Sequence, residues 1–216
     1  MILYLSSQKF GEDNLFLKKW IKENDNKLIL IFNALDAKEK EKIFNNVKED
    51  TKLLEQIGFD VKVIDLKKFF GRVEELRTLL KEYSSYCVMG GNVFVLRKAM
   101  EKSGFDNYLR EISNNSDYLY IGYSAGGCVL SKDLSPFDKV DEPINCYDDS
   151  DVIYSGMGLI DYLFIPHYKS NYHKAYLVDE LVNRCEEEKI KYKTFRDGET
   201  IIEKVYNKIK WRKNWY

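Results

Sequence analysis

Apolar residues gather in six short runs separated by longer, charged stretches. The runs are 2–7 (ILYLSS), 28–32 (LILIF), 61–66 (VKVIDL), 86–90 (YCVMG), 118–123 (YLYIGY) and 162–166 (YLFIP). Each is short, rich in aromatic or branched residues and nearly all apolar, the pattern of strands covered on both faces in a parallel sheet. The intervening segments have helical period instead. In 14–22, Leu15, Leu17, Trp20 and Ile21 gather near one face, and in 37–57, Ile43, Val47, Leu53, Leu54 and Ile57 do so amid dense charge. With 73–83, 93–101 and 172–188 they predict amphipathic crossover helices. Toward the end, 192–206 (YKTFRDGETIIEKVY) predicts two short strands joined as a hairpin at Asp197-Gly198.

Strands alternating with helices predict an α/β fold, a mainly parallel sheet with helices on both faces. No shift in composition marks a boundary, so residues 1–216 read as one domain. A chain of this size buries roughly 70% of its unfolded surface and needs no disulfide or structural metal. Cys87, Cys128, Cys146 and Cys185 form no C-x-x-C pair and read as reduced, mostly buried thiols.

Charge narrows the function further. Acids and bases nearly cancel, 35 against 34, so the basic footprint of a nucleic-acid binder is missing. Only the tail 208–213 (KIKWRK) is free of interspersed acids, and with Trp211 and Trp215 it reads as a packed terminal element rather than a basic patch. The opening MILYLSSQKF suits a first strand better than a signal peptide, and no apolar stretch approaches ~18 residues. A cytoplasmic protein with no membrane partner is expected, as a monomer or small homo-oligomer.

Ligands of open parallel sheets bind at the carboxyl ends of the strands, which directs attention to the residues just beyond each apolar run. YLYIGY leads straight into Ser-Ala-Gly-Gly, so Gly122-Tyr123-Ser124-Ala125-Gly126 fits G-x-S-x-G between a strand and a helix. That context makes Ser124 a candidate nucleophile and aims the Ala125 N–H at a developing oxyanion. A second donor must come from another loop, and Gly91 in the turn Gly90-Gly91-Asn92 is the natural candidate, with Asn92 beside it as a substrate contact. The chain has two histidines. His167 comes after YLFIP at a strand end and suits the general base; His173, six residues on, suits a pocket rim.

GYSAGG after an apolar strand, MGGN at the end of the preceding strand and IPHY some forty residues beyond the serine together resemble peptidase family S51, the family of dipeptidase E and cyanophycinase. The resemblance implies a three-layer fold related to class I glutamine amidotransferases, with serine where those enzymes carry cysteine, and exopeptidase action on short peptides without cofactor or metal. It carries the nucleophile onto Ser124, the base onto His167 and the oxyanion donors onto Gly91 and Ala125. The family's acidic partner, in an R-E-G turn near the C-terminus, maps to Asp197 in Arg196-Asp197-Gly198, with Asp138 and Asp141 as alternatives.

The chain departs from the family at the segment expected to hold an arginine for an N-terminal aspartate. It reads KSNYHKAYLVDELVNR, leaving Lys169, His173 and Lys174 as the nearby cations, so the preference for aspartate is in doubt. The loop 131–156 is rich in acids, and Asp148, Asp149 and Asp151 could hold a substrate's free amine or lie solvated. The same triad serves an esterase or acyl transferase equally, and a member that binds ligand without turnover is the non-enzyme reading.

Overall fold

The computed structural model describes residues 1–148 and 151–205. Its centre is a six-stranded sheet of β1 (Ile2–Ser6), β2 (Lys27–Ile31), β3 (Asp60–Ile64), β4 (Ser85–Val88), β5 (Leu119–Tyr123) and β8 (Thr200–Lys204), in the order β3-β2-β4-β5-β1-β8. All neighbours pair in parallel except β8, which runs antiparallel to β1 with Thr200 opposite Ser6.

The apolar runs are continuous because both faces of the sheet are covered. Tyr4, Leu28, Leu30, Cys87, Leu119 and Ile121 pack on one side against Leu17 and Trp20 of α1 (Leu15–Glu23) and Leu54 of α2 (Lys40–Ile57). The alternate residues, Leu3, Leu5, Ile29, Ile31, Tyr86, Val88 and Tyr120, face the other side. There they meet α3 (Val73–Leu80), α4 (Val93–Ser103), α5 (Phe105–Ile112), α6 (Ala125–Cys128) and α7 (Ala175–Glu187). Two-residue periodicity in the strands has thus sorted side chains onto two cores. At the sheet's far edge β3 is mostly not buried, and Val63 is exposed.

Two expectations are corrected. The run 162–166 does not join the main sheet: its strand, β6 (Leu163–Ile165), pairs in parallel with β7 (Tyr192–Thr194) as a separate two-stranded sheet. The hairpin at Asp197-Gly198 does not form either. Its two arms, β7 and β8, belong to different sheets, and the turn, closed by Glu199 N–H donating to the Arg196 carbonyl, carries the chain from one to the other. Segment 93–101 is the first of two helices; Gly104, at φ 77, ends α4 and starts α5. The Trp211 and Trp215 tail lies outside the described residues.

β6 is fastened to the helix after β5. The Phe164 N–H donates to Ser131 Oγ at 3.2 Å, the Cys128 thiol donates to the Phe164 carbonyl, and Gly127 leaves room for the Phe164 ring, which a Cβ there would meet at 2.7 Å. Phe164 also stacks on Phe195 beyond β7, centroids 4.5 Å apart. These contacts set the end of β6 beside the end of β5. Among the described residues no helix is long and apolar enough to cross a membrane.

Candidate active site

β5 ends at Tyr123, and Ser124 turns the chain into α6 with φ 48 and ψ −119. A non-glycine residue in that region costs on the order of 1–3 kcal/mol and persists only where its surroundings impose it. Here the imposition is visible: Ser124 N–H donates to the Ser6 carbonyl, while the N–H groups of Gly127 and Cys128 return to the Ser124 carbonyl. Gly126 makes the bend possible, since a Cβ there would sit 2.2 Å from the Val88 carbonyl oxygen. The elbow therefore presses α6 onto the end of β4 and turns the Ser124 hydroxyl into a cavity.

His167 reaches that cavity from the end of β6. It too has positive φ, 62°, and its N–H donates to Ser7 Oγ at 2.8 Å. Its ring stacks on Tyr172, centroids 4.4 Å apart. Its Nε2 is 3.1 Å from Ser124 Oγ and its Nδ1 is 2.7 Å from Asp197 Oδ1. The residue order Ser124–His167–Asp197 is thus a continuous hydrogen-bonded line.

Asp197 is placed by the chain's transfer between sheets. β8 docks on β1, and Ser7 N–H donates to the Glu199 carbonyl, which brings the turn beside Ser7. Ser7 Oγ donates to Asp197 Oδ1, and Asp197 N–H donates to Ser170 Oγ, both at 2.8 Å. Of the alternatives, Asp138 pairs with Arg184 on the surface, and Asp141 receives the Val93 N–H at 2.8 Å. Neither touches His167.

Gly91, at φ 150, and Ala125 both line the recess with Ser124. Gly91 cannot carry a side chain, because a Cβ would lie 2.3 Å from the Ala34 carbonyl oxygen. Neither the Gly91 N–H nor the Ala125 N–H donates to an acceptor among the described residues.

The wider cavity, about 470 Å³, opens over Ser124, His167 and His173 toward Lys9, Asn92 and Lys174. A small recess of about 30 Å³ runs behind Ser124, walled by Val140, Ile165, Val178 and Leu181. Asn92 lines the wide cavity, but its side chain is engaged: Oδ1 caps α4 by accepting from Phe94 and Val95 N–H, and Nδ2 donates to the Glu142 carbonyl. Lys169 is exposed, with Nζ over the Tyr168 ring, and lines neither cavity. Its expected substrate contact is therefore not supported. Asp148 of the acidic loop pairs with Lys102 and Asp151 is exposed; Asp149 is outside the described residues.

Sequence reasoning missed the supports. Ser7 and Ser170 hold Asp197, and beneath the elbow the fully buried Asp50 takes Lys9 Nζ at 2.6 Å and the Tyr123 hydroxyl at 2.5 Å. Burial raises the Asp50 carboxyl above its ordinary value, against the pull of Lys9 and Tyr123. No local pattern marks these residues; each is a common polar side chain whose partner is distant in sequence. Of the cysteines, Cys87, Cys128 and Cys185 are buried thiols, whereas Cys146 is exposed.

A serine on a strand-to-helix elbow, facing a histidine and a carboxylate at the carboxyl edge of a parallel sheet, is the arrangement that the nucleophile elbow of α/β hydrolases presents. More particularly, the chain belongs to peptidase family S51, whose family model matches residues 2–202. The uncharacterized peptidase Lin0382 of Listeria innocua is 28% identical over 131 residues, 60% of each chain. Lmo0363 of Listeria monocytogenes, also an uncharacterized peptidase, is 29% identical over 125 residues, 57% of this chain and 58% of its own. The matches thus span less than two thirds of these curated relatives. Among solved structures, a candidate peptidase E from Listeria monocytogenes EGD-e superposes with a TM-score of 0.71 at 22% identity, covering 95% of this chain and 98% of the other. A peptidase from an acI-B1 Actinobacterium gives 0.58 at 17% identity, over 84% and 74%. These likenesses carry the fold.

Proposed function

We propose that this peptidase is a serine exopeptidase that hydrolyses short peptides through Ser124, His167 and Asp197. The observation that carries the reading is the unbroken line from Ser124 Oγ through the imidazole to Asp197 Oδ1, at 3.1 Å and 2.7 Å. In the forward step His167 Nε2 takes the Ser124 proton as Oγ attacks the scissile carbonyl carbon, and the resulting oxyanion accepts from Gly91 and Ala125 N–H. The imidazolium then gives that proton to the leaving amine. Water repeats the sequence on the acyl-enzyme, releasing the acid and restoring Ser124. Asp197 keeps Nδ1 protonated and stabilises the imidazolium without itself taking the proton.

Cavity size supports a short substrate, since about 470 Å³ matches a small ligand rather than a folded chain. The recess behind Ser124 has no Lys or Arg among its lining residues, which favours a small neutral side chain over aspartate.

Hydrolysis of an Asp-X, Glu-X and neutral X-X dipeptide panel, with wild type and Ser124→Ala side by side, tests the proposal. Cleavage by wild type alone is expected, strongest for neutral members. Equal cleavage by both proteins, or cleavage of none, would overturn it.

A further inference from the structure

Hydrogen bonds about the elbow form a closed circuit that passes through a charged residue of α2. Ser124 N–H donates to the Ser6 carbonyl, and Ser6 Oγ donates to the Lys9 carbonyl. Lys9 Nζ donates to Asp50 Oδ1 at 2.6 Å, and Asp50 Oδ2 takes the Tyr123 hydroxyl at 2.5 Å. The peptide bond from Tyr123 to Ser124 completes the circuit. Two of its members, Lys9 and Ser124, have positive φ, 50° and 48°, a conformation that non-glycine residues keep only where their surroundings impose it.

The circuit also touches the Gly90-Gly91-Asn92 turn. A Cβ on Gly90 would lie 2.8 Å from the Tyr123 ring and 3.0 Å from Ser124 Cβ, so Gly90, the neighbour of Gly91, packs directly against both. Phe10 meets the same ring edge-on, centroids 6.0 Å apart, and confines it further.

Stability alone does not call for a charge in this place. The Asp50 side chain is fully buried, and well-packed apolar residues often replace a buried ion pair at no loss of stability. What the carboxylate adds is direction: its two oxygens hold Lys9 and Tyr123 at hydrogen-bonding distance and angle, which an apolar contact would not.

We propose that Asp50 is a positioning residue for the nucleophile: with its carboxylate aimed by Lys9, it acts through the Tyr123 hydroxyl to set Ser124 Oγ for attack. The inference rests on the proposed function only in taking Ser124 as the nucleophile.

The test is the rate of Ser124 labelling by an alkyl fluorophosphonate, which needs no peptide substrate. It is measured for wild type, Tyr123→Phe, Asp50→Asn and the double variant, well below the lowest thermal midpoint of the set. Tyr86→Phe is the control, because it also deletes a buried hydroxyl, one bonded to the Leu80 and Tyr83 carbonyls near the amino end of β4. The expected result is that Tyr123→Phe and Asp50→Asn each label at least ~10-fold more slowly, yet still reach one adduct per chain. The double variant should be within about twofold of the slower single one, since both changes break the same link. Tyr86→Phe should label at the wild-type rate. Should Asp50→Asn not fold, Tyr123→Phe against Tyr86→Phe decides alone. Wild-type labelling rates in Tyr123→Phe, an equal slowing in Tyr86→Phe, multiplied losses in the double variant, or a wild-type Ser124 that does not label would each overturn the inference. Failure of the peptidase reading is seen separately, as absence of dipeptide turnover by a wild type that labels.

Discussion

Ser7 Oγ lies 2.8 Å from Asp197 Oδ1, the same oxygen that faces His167 Nδ1 at 2.7 Å. Because Ser7 Oγ also accepts the His167 N–H, one hydroxyl just beyond β1 ties Asp197 to His167. Oriented partners of this kind determine how well an imidazole is aimed, although they touch no substrate.

Ser7→Ala would leave the His167 N–H and one Asp197 contact unmet, in a position that is fully buried. The expected cost is about 1–3 kcal/mol of stability and a fall in kcat of about tenfold, with KM little changed. Asp197→Asn, which removes the acceptor itself, should lower kcat by ~10⁴. Asp138→Asn, at a surface pair with Arg184, should lower neither. Steady-state kinetics with chemical denaturation of the same proteins check all three.

Gly91→Ala is expected to damage both fold and site. The substitution forces a side chain at φ 150 and brings Cβ within 2.3 Å of the Ala34 carbonyl oxygen, which itself receives the Asn92 N–H. The backbone alone accounts for a loss of at least ~1–3 kcal/mol. Thermal unfolding should show a lowered midpoint, and any folded fraction should turn over poorly because the donor N–H has moved.

Asp141 gives the stability a pH signature. Its folded-state carboxyl is raised above its unfolded value by burial, so between those two values the native state holds the proton more tightly than the unfolded chain. This contribution is fully present below the unfolded value near 3.8 and is lost as pH rises through the raised native value. Asp141→Asn should therefore flatten the pH dependence in that window, seen as a smaller difference in unfolding free energy between mildly acidic and neutral buffer.

Much of the architecture was legible because burial on both faces leaves an unmistakable mark: five of the six apolar runs are the parallel strands of the main sheet. The turn chemistry was legible as well. A serine between glycines after a strand, a proline-histidine at another strand end and an Asp-Gly turn drew attention to three residues that the fold brings into one line. What could not be read was pairing at long range. β6 and β7, each three residues long, choose one another across α7, and nothing within YLFIP or YKT tells a small second sheet from the main one. The Asp197-Gly198 signal is a real turn, but local sequence cannot say whether a turn joins neighbouring strands or leads from one sheet to another. Ser7 and Ser170 meet Asp197 only through contacts between segments distant in sequence, so no spacing rule would have found them.

The most direct test of the central claim is covalent capture of the nucleophile with an alkyl fluorophosphonate, with intact-mass and peptide analysis of the product. In wild type a single adduct on Ser124 is expected, with dipeptide hydrolysis lost in proportion to labelling, and His167→Ala should label at least ~100-fold more slowly because its serine has no base. An unlabelled Ser124 in a protein that still hydrolyses peptides, or labelling that is indifferent to His167, would contradict the assignment.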